Sequence, residues 1–145
     1  MQMQLPSDET QAVWVSLMRI GPLVLDKVSA AVKDAGFLTV EAYDVLWGIE
    51  RSKTGEIRPH ELADQLLFPR YGLSRMLAKL EADALIERKE CPEDARGQLV
   101  SLTPAGKKLR AKMWPVYGAA MKEAVEEKLT PAEAKTLAKL LAKLG

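Results

Sequence analysis

Apolar side chains recur every three or four residues through the first part of the chain. The stripe consists of Val13, Leu17, Ile20, Val24, Val28 and Val32. This spacing places the six residues on one face of an α-helix, and Ser7 stands ahead of them where a helix N-cap belongs. We therefore predict a long first helix that ends at Gly36, with a kink where Gly21-Pro22 interrupts the pattern.

Three shorter helical patterns follow in the middle of the chain. They cover about 39–50, 60–67 and 69–82, and the third begins at Pro69. Proline is favoured at the first position of a helix, because the N–H that it lacks has no partner within the helix there. The connection between the second and third patterns is short, which is typical of a helix-turn-helix motif.

The spacing of apolar residues then changes from helical to alternating. Residues 85–90 and 98–102 show the pattern of two strands, and the segment between them contains proline and glycine. This pattern predicts a β-hairpin with a loop at 91–97. The earlier segment 56–58 is predicted to be extended, because a residue that precedes a proline is pushed out of the helical region.

Two more helices are predicted after the hairpin. The first begins at Thr103-Pro104 and is expected to kink at Trp114-Pro115, and the second begins at a capping box that opens with Thr130. The last helix carries an apolar stripe of Leu137, Leu140, Leu141 and Leu144. That stripe packs either within the chain or against a second copy, and the length of the terminal helices favours a second copy.

This order of elements predicts a mainly α fold, an α+β winged helix-turn-helix with long N- and C-terminal dimerisation helices. We expect an N-terminal dimerisation helix at 7–38 and a DNA-binding winged module at 39–103. The C-terminal helices at 104–145 are expected to complete the dimer interface.

Charge is distributed unevenly along the chain. Between 51 and 112, thirteen Lys and Arg against nine Asp and Glu give +4, while the other residues, with eight against eleven, give −3. A basic middle is suited to contact with phosphate groups.

The sequence also limits the covalent links and the cell compartment of the protein. It has a single cysteine, Cys91, so a disulfide within the chain is excluded. It has no apolar run of about 18 residues, so no membrane span is predicted. With no signal-peptide pattern at the N-terminus, we expect a cytoplasmic protein.

The helix at 69–82 carries the side chains expected to read DNA. Its apolar side anchors it, and its other side offers Arg70, Ser74, Arg75 and Lys79. Arginine can donate two hydrogen bonds to guanine, and serine and lysine can contact base edges or phosphates. In the hairpin, Arg96 is expected near the tip, where it can enter a minor groove, and Gly97 is expected to turn the chain with a positive φ.

Five short motifs together resemble the MarR family of winged-helix transcription regulators. They are IRPHELA at 57–63, LSRMLAKLE at 73–81, LIER at 85–88, DARG at 94–97 and LTPAG at 102–106. The Ser-Arg pair of the second motif and the Asp-x-Arg-Gly of the fourth are the most specific parts. The resemblance covers about 39–110 by motif and the rest of the chain by the order of helices.

The resemblance implies a homodimer that binds double-stranded DNA at a pseudo-palindromic operator, in many members as a repressor released by a small aromatic ligand. It implies that Ser74 and Arg75 read bases, that Arg96 is the wing arginine and that Asp94 helps to hold the wing. Two departures from the family pattern are Phe68-Pro69, where a polar capping residue is expected, and Pro115 within a helix.

Aromatic and methionine side chains recur on the predicted terminal helices and on the second helix. Trp14, Met18, Trp47 and Trp114 can line a ligand pocket between the dimer helices and the winged module, together with Tyr43, Met113, Tyr117 and Met121. The same residues can equally form plain core, because such a mixture at helical spacing is common inside helical proteins.

No motif of an enzyme, cofactor or metal site is found in the sequence. There is no glycine-rich phosphate loop and no nucleophile elbow, and the only histidine, His60, is far in sequence from Cys91. We expect His60 to brace its helix or to contact a phosphate, and a redox role of Cys91 is a minor alternative. The alternatives to a ligand-controlled regulator are a winged-helix module that binds only proteins, and a DNA-binding protein without small-molecule control.

Overall fold

The fold is a winged helix-turn-helix joined to long terminal helices, as the sequence predicts. The computed structural model describes residues 3–68, 71–91 and 93–145, and gives only the backbone for 94–96. In chain order the elements are α1 (Asp8–Asp34), α2 (Val40–Glu50), β1 (Glu56–Ile57), α3 (Pro59–Gln65), α4 (Leu73–Ala82), β2 (Ile86–Cys91), β3 (Asp94–Leu102), α5 (Pro104–Ala124), a 3-10 turn (Glu126–Lys128) and α6 (Pro131–Ala142).

Side-chain caps fix the starts of four helices. Ser7, Thr39, Thr103 and Thr130 each accept a hydrogen bond from the backbone N–H three residues further on. Such a cap stabilises a helix by about 1 kcal/mol, because it gives a partner to an N–H that has none within the helix. At α6, Glu133 completes the predicted capping box, and its hydrogen bond from the backbone N–H of Thr130 lowers the pKa of the Glu133 carboxyl. The four predicted helix starts are confirmed.

Neither internal proline ends its helix. Pro22 lies within α1 and Pro115 within α5, and both helices continue beyond these positions. Each proline removes one backbone hydrogen bond. The apolar residues before and after each proline nevertheless keep the same helical spacing. Among the described residues, no helix is both long enough and apolar enough to cross a membrane.

Two predicted helix boundaries in the helix-turn-helix are wrong. Helix α3 ends at Gln65 rather than 67, because Leu66 is extended with φ −70° and ψ 142°. Helix α4 begins at Leu73 rather than at Pro69, because Gly72 has a φ of 88°. A left-handed residue cannot lie inside a right-handed helix, and glycine adopts this conformation without a steric penalty. Pro69 itself lies outside the described residues.

The three strands form one antiparallel sheet in the order β1-β3-β2. The segment predicted to be extended supplies β1, in which Ile57 pairs with Val100 of β3. The long hairpin loop predicted at 91–97 is wrong, because β3 begins at Asp94 and Cys91 pairs with Asp94. Gly97 therefore lies within β3 and not at a turn. The sequence obscured this part of the hairpin, because Pro92 and Gly97 are residues typical of turns and interrupt the apolar alternation of the flanking segments.

The core consists of two clusters that share one helix. The first lies under the winged module and contains Leu46, Ile49, Leu62, Leu77 and Val100, among others. The second lies between α1, α2 and α5 and contains Val28, Val32, Val40, Tyr43, Met113, Tyr117 and Ala120. Because α2 contributes to both clusters, it fixes the winged module against the helical part of the same chain.

Candidate nucleic-acid interface

Helix α4 has one buried side and one exposed side. Leu77 and Leu80 are buried, and Leu73 and Met76 are partly buried against the first core cluster. Because a helix turns about 100° per residue, the opposite side carries Arg75 and Ala78 near its centre, with Ser74 and Lys79 at its edges. These four residues are all exposed. The outward side of α4 is therefore narrow, basic and free of large apolar side chains.

Two grooves run along the edges of this outward side. On one edge Ser74 and Arg75 line a groove of about 480 Å³ with Pro59, His60 and Ala63 of α3. On the other edge Arg75 and Lys79 line a cleft of about 670 Å³ that also includes Lys33 and Thr39. The exposed His60 thus lies beside the residues predicted to read bases.

The structure is silent on several predicted DNA contacts. Arg70 lies outside the described residues, and so do the side chains of Asp94 and Arg96. The roles of these three residues remain predictions from the sequence and from the family resemblance.

The base of the hairpin is tied to α4 by side chains that the sequence analysis missed. Arg88 of β2 lies 3.7 Å from the Glu81 carboxylate of α4 and donates a 3.4 Å hydrogen bond to Gln98 of β3. Lys89 forms an ion pair with Glu56 of β1. These contacts are partly exposed and add only about 0–1 kcal/mol each, so they orient the hairpin more than they stabilise the fold.

Cys91 is the last residue of β2, where it pairs with Asp94 at the start of β3. It is buried, and Arg58 donates a hydrogen bond to its Sγ atom over 3.3 Å. The described residues contain no group of three or more His, Cys, Asp or Glu side chains that could hold a metal ion.

A cavity of about 680 Å³ lies between α2, α5 and the linker that joins α3 to α4. Its wall is mostly aromatic and apolar, with a few charged groups. The lining residues are Tyr43, Asp44, Trp47, Arg51, Gln65, Leu66, Leu67, Arg110, Trp114, Tyr117 and Met121.

Two of the four residues predicted to line a ligand pocket lie in the wall of this cavity, and two do not. Trp47 and Trp114 line it, whereas Trp14 and Met18 are exposed on the first half of α1, with 64% and 53% of their surface accessible. The cavity in a single chain is therefore built from α2 and α5 without the start of α1.

The rings in the cavity wall contact one another. Tyr43 stacks with Trp114 at a centroid distance of 6.2 Å and meets Tyr117 edge-on at 5.0 Å. Burial raises the pKa of the Tyr117 hydroxyl, and the nearby acidic groups, Asp44 first, raise it further.

Two arginines bring positive charge to the cavity wall. Arg110 forms an ion pair with Glu50, and its guanidinium lies 4.8 Å from the ring centroid of Trp47. Burial opposes the charge of Arg110, but pairing with Tyr43 and Glu50 outweighs burial and raises its pKa. The second cation is Arg51, whose Nη2 donates to the carbonyl oxygen of Gln65 over 3.2 Å.

The linker between α3 and α4 is also held by an acidic residue. Asp44 Oδ2 accepts hydrogen bonds from the backbone N–H groups of Leu67 at 2.7 Å and Phe68 at 3.3 Å. Sequence reasoning did not find this contact, because it joins residues 23 and 24 positions apart and no local pattern marks it.

The chain is similar to known proteins in family pattern, in sequence and in fold. A model described as MarR family matches residues 38–97. The multiple antibiotic resistance protein MarR of Salmonella typhimurium is 35% identical over 107 residues, which are 74% of this chain and 73% of that protein.

The fold of this chain matches solved structures over nearly its whole length. A MarR family transcriptional regulator from Streptomyces coelicolor, solved in complex with DNA, matches with a TM-score of 0.88 and 27% identity, over 99% of this chain and 89% of that one. A mutant MarR from E. coli, complexed with operator DNA, matches with a TM-score of 0.80 and 26% identity, over 94% and 96%. Proteins of this family regulate transcription and are not enzymes. The chain described here therefore belongs to the MarR family of transcription regulators.

Proposed function

We propose that this protein binds a pseudo-palindromic duplex operator as a homodimer and represses transcription until a small aromatic ligand releases it. The observation that carries the DNA-binding part is the outward side of α4, where Ser74, Arg75 and Lys79 are exposed above a buried apolar side. A single helix of this width fits the major groove. Two structural neighbours were solved in complex with DNA, which supports DNA binding by this chain.

Each candidate residue has a stated role in this proposal. Ser74 and Arg75 contact base edges, and Lys79 contacts phosphate. Arg70 adds a contact ahead of α4. Arg96 enters the minor groove from the hairpin, with Asp94 and Gly97 shaping the strand that carries it.

Apolar faces left uncovered within one chain support the homodimer. Large apolar side chains are exposed along the first half of α1 and along α6, namely Val13, Trp14, Val15, Met18, Ile20, Leu23, Leu137, Leu140, Leu141 and Leu144. A second copy that covers both faces would remove this surface from water. In this proposal 7–38 and 104–145 form the dimer, and 39–103 is the module that binds DNA.

Dimer geometry then determines which operators can be bound. Two copies of α4 enter successive major grooves when they stand about one helical turn apart, roughly 34 Å. A dimer related by a two-fold axis reads two half-sites in opposite directions, so the operator is a pseudo-palindrome.

The cavity between α2, α5 and the α3–α4 linker supports control by an aromatic ligand. Trp47, Trp114 and Tyr43 offer ring faces, and Arg51 and Arg110 offer positive charge to an anionic group. A ligand here would touch both the helical part of the chain and the linker that leads to α4. A regulator without small-molecule control would instead give no ligand-dependent change in DNA affinity.

Arg75→Ala tests the DNA-reading surface. We expect this variant to bind the DNA upstream of its own gene with a loss of about 1–3 kcal/mol and with weaker discrimination between sequences, because the arginine contributes contacts to base edges. Fluorescence anisotropy with labelled duplexes measures both effects. The matched control is Lys122→Ala, since Lys122 is exposed on α5 about 27 Å along the helix from Pro104.

Salt dependence separates DNA binding from a purely protein-binding winged helix. Wild-type affinity for duplex DNA should fall steeply between roughly 50 and 200 mM salt, because phosphate contacts release counterions. Equal affinity of wild-type protein, Arg75→Ala and Lys122→Ala for every duplex would contradict the proposal.

A further inference from the structure

Two charged side chains, one on α2 and one at its C-cap, hold the linker between α3 and α4. Asp44 accepts the two N–H groups of Leu67 and Phe68, and Arg51 donates to the carbonyl oxygen of Gln65. Asp44 and Arg51 are seven residues apart, which is about two helical turns, and so they lie on the same side of α2. We call these three hydrogen bonds the linker clamp.

The linker clamp acts on backbone groups that no regular element satisfies. Leu66 ends α3 in an extended conformation, and α4 begins only after the left-handed Gly72. Gln65, at the last turn of α3, has a carbonyl oxygen without a helical partner, and Arg51 supplies one. The path of the chain into α4 thus depends on α2 side chains as well as on the buried side of α4.

Both clamp residues also line the cavity. Asp44, Arg51 and the linker residues Leu66 and Leu67 are all part of its wall. Asp44 additionally lines a second cleft of about 360 Å³ that includes Phe68, Gly72 and Met76 of the linker and α4. A molecule in the cavity would therefore lie directly against the groups that position the linker.

The two arginines of the cavity differ in what they already bind. Arg110 is paired with the carboxylate of Glu50, whereas Arg51 bonds a neutral carbonyl oxygen. Hydrogen bonds between two charged groups are stronger and shorter than those to a neutral acceptor. An anion in the cavity would consequently draw Arg51 away from Gln65 more readily than it would draw Arg110 away from Glu50.

We propose that Asp44 and Arg51 are positioning residues for the DNA-reading helix, and that an aromatic anion in the cavity weakens DNA binding by taking Arg51 from the Gln65 carbonyl. Asp44 is the fixed anchor of the linker, and Arg51 is the exchangeable one. This inference rests on the proposed function, because it gives the route by which an occupied cavity changes the position of α4. Neutral aromatic molecules fill the same space without releasing the clamp.

The first experiment tests the anchor with two variants of Asp44 and one control. Asp44→Ala removes both acceptors and is expected to weaken DNA binding by about tenfold. Asp44→Asn keeps an oxygen that can accept from Leu67 and Phe68, and it should bind DNA within about threefold of wild type. Glu41→Ala, one turn earlier on α2 and without a hydrogen bond to the linker among the described residues, should match wild type.

Thermal unfolding of each Asp44 variant provides a check on folding. If Asp44→Ala is folded at the assay temperature and binds DNA as wild type does, the anchor role is overturned. If Asp44→Asn is as weak as Asp44→Ala, the hydrogen bonds to the linker are not what positions α4, and the anchor role is again overturned.

The second experiment tests the exchange at Arg51 with 2-naphthoate as the anion and 2-naphthamide as its neutral match. Cavity occupancy is read from quenching of tryptophan fluorescence, since Trp47 and Trp114 line the site, and DNA affinity is read by anisotropy. At equal occupancy, naphthoate should weaken wild-type DNA binding by about tenfold and naphthamide by less than about twofold. Arg51→Gln, which removes the cation that would pair with the carboxylate, should lose less than about twofold in DNA affinity when naphthoate is bound.

Release of Arg51→Gln by naphthoate at the same occupancy as wild type would overturn the exchange, and so would equal release of wild type by both compounds. Lys53→Gln, which removes an exposed cation two residues away, should respond as wild type does. If the proposed function itself is wrong, wild-type protein will bind no duplex at low salt, a result that differs from each of those above. That result would overturn the roles of Asp44 and Arg51 as well.

Discussion

At the scale of single residues, Gly106 joins α5 to the segment that leads into β2. It is buried, and a Cβ atom here would overlap the carbonyl oxygen of Leu85. The same carbonyl accepts a hydrogen bond from the backbone N–H of Thr103, and Thr103 Oγ1 donates to the carbonyl oxygen of Ala84 at 2.7 Å. The start of α5 is thus packed backbone against backbone, with no room for a side chain.

Gly106→Ala should lower the free energy of unfolding by about 1–3 kcal/mol, because backbone atoms must move to admit the methyl group. Gly118→Ala is the matched variant in the same helix. There the new methyl group would stand 3.7 Å from the Trp114 ring, an ordinary contact, and alanine favours a helix interior over glycine by about 0.5–1 kcal/mol. Urea unfolding of both variants measures this contrast, and a loss of stability of equal size in the two would contradict it.

At the scale of elements, the end of α4 is closed by a Schellman motif. Ala84 N–H donates to the carbonyl oxygen of Glu81, and Leu85 N–H donates to that of Leu80. Ala84 has a φ of 58°, the only positive φ of a non-glycine residue in the described chain. Leu80 and Leu85 both belong to the first core cluster, so the end of α4 is fixed by packing even though alanine is strained at this position.

Ala84→Gly should raise the free energy of unfolding by about 1 kcal/mol, because glycine adopts the left-handed conformation without the clash of Cβ. The gain should appear as a higher urea midpoint with an unchanged slope. Unchanged or lowered stability would mean that alanine is not strained there.

Boundaries that carry a local signal were easier to predict from the sequence than boundaries that do not. A cap such as Thr39 or Thr130 is a local signal, since its partner lies three residues away. The start of α4 depends on the left-handed Gly72, which the more prominent Pro69 obscured. The pairing of Ile57 with Val100 and the hydrogen bond from Leu67 to Asp44 join distant parts of the chain, and no local pattern contains them.

At the scale of the whole molecule, the terminal helices leave apolar surface uncovered. Leu137, Leu140, Leu141 and Leu144 recur along α6, and none of them is buried within the chain. The sequence predicted this stripe correctly, but periodicity identifies which side of a helix is apolar and not what covers it. For the same reason Trp14 and Met18 were predicted to line a pocket that, within one chain, does not include them.

Leu141→Asp should convert the proposed dimer into monomers, because it places an unpaired carboxylate in an apolar interface. Affinity for a full operator should then fall by at least about a hundredfold, since the two half-sites are no longer bound by one linked molecule. Light scattering on an eluting column gives the mass, and anisotropy gives the affinity. Lys135→Asp, on the opposite side of α6, should remain dimeric; a monomeric wild-type protein would contradict the proposed assembly.

Helix α2 belongs to both core clusters, with Val40 and Tyr43 in one and Leu46 and Ile49 in the other. If either cluster loses its packing, the side of α2 that the cluster covers becomes exposed to solvent. Backbone amides at the centre of α2 should therefore exchange with deuterium only when the entire protomer opens. Any rearrangement between the two halves should then take place in the α3–α4 linker, in which none of the described residues, 66–68, 71 and 72, is fully buried.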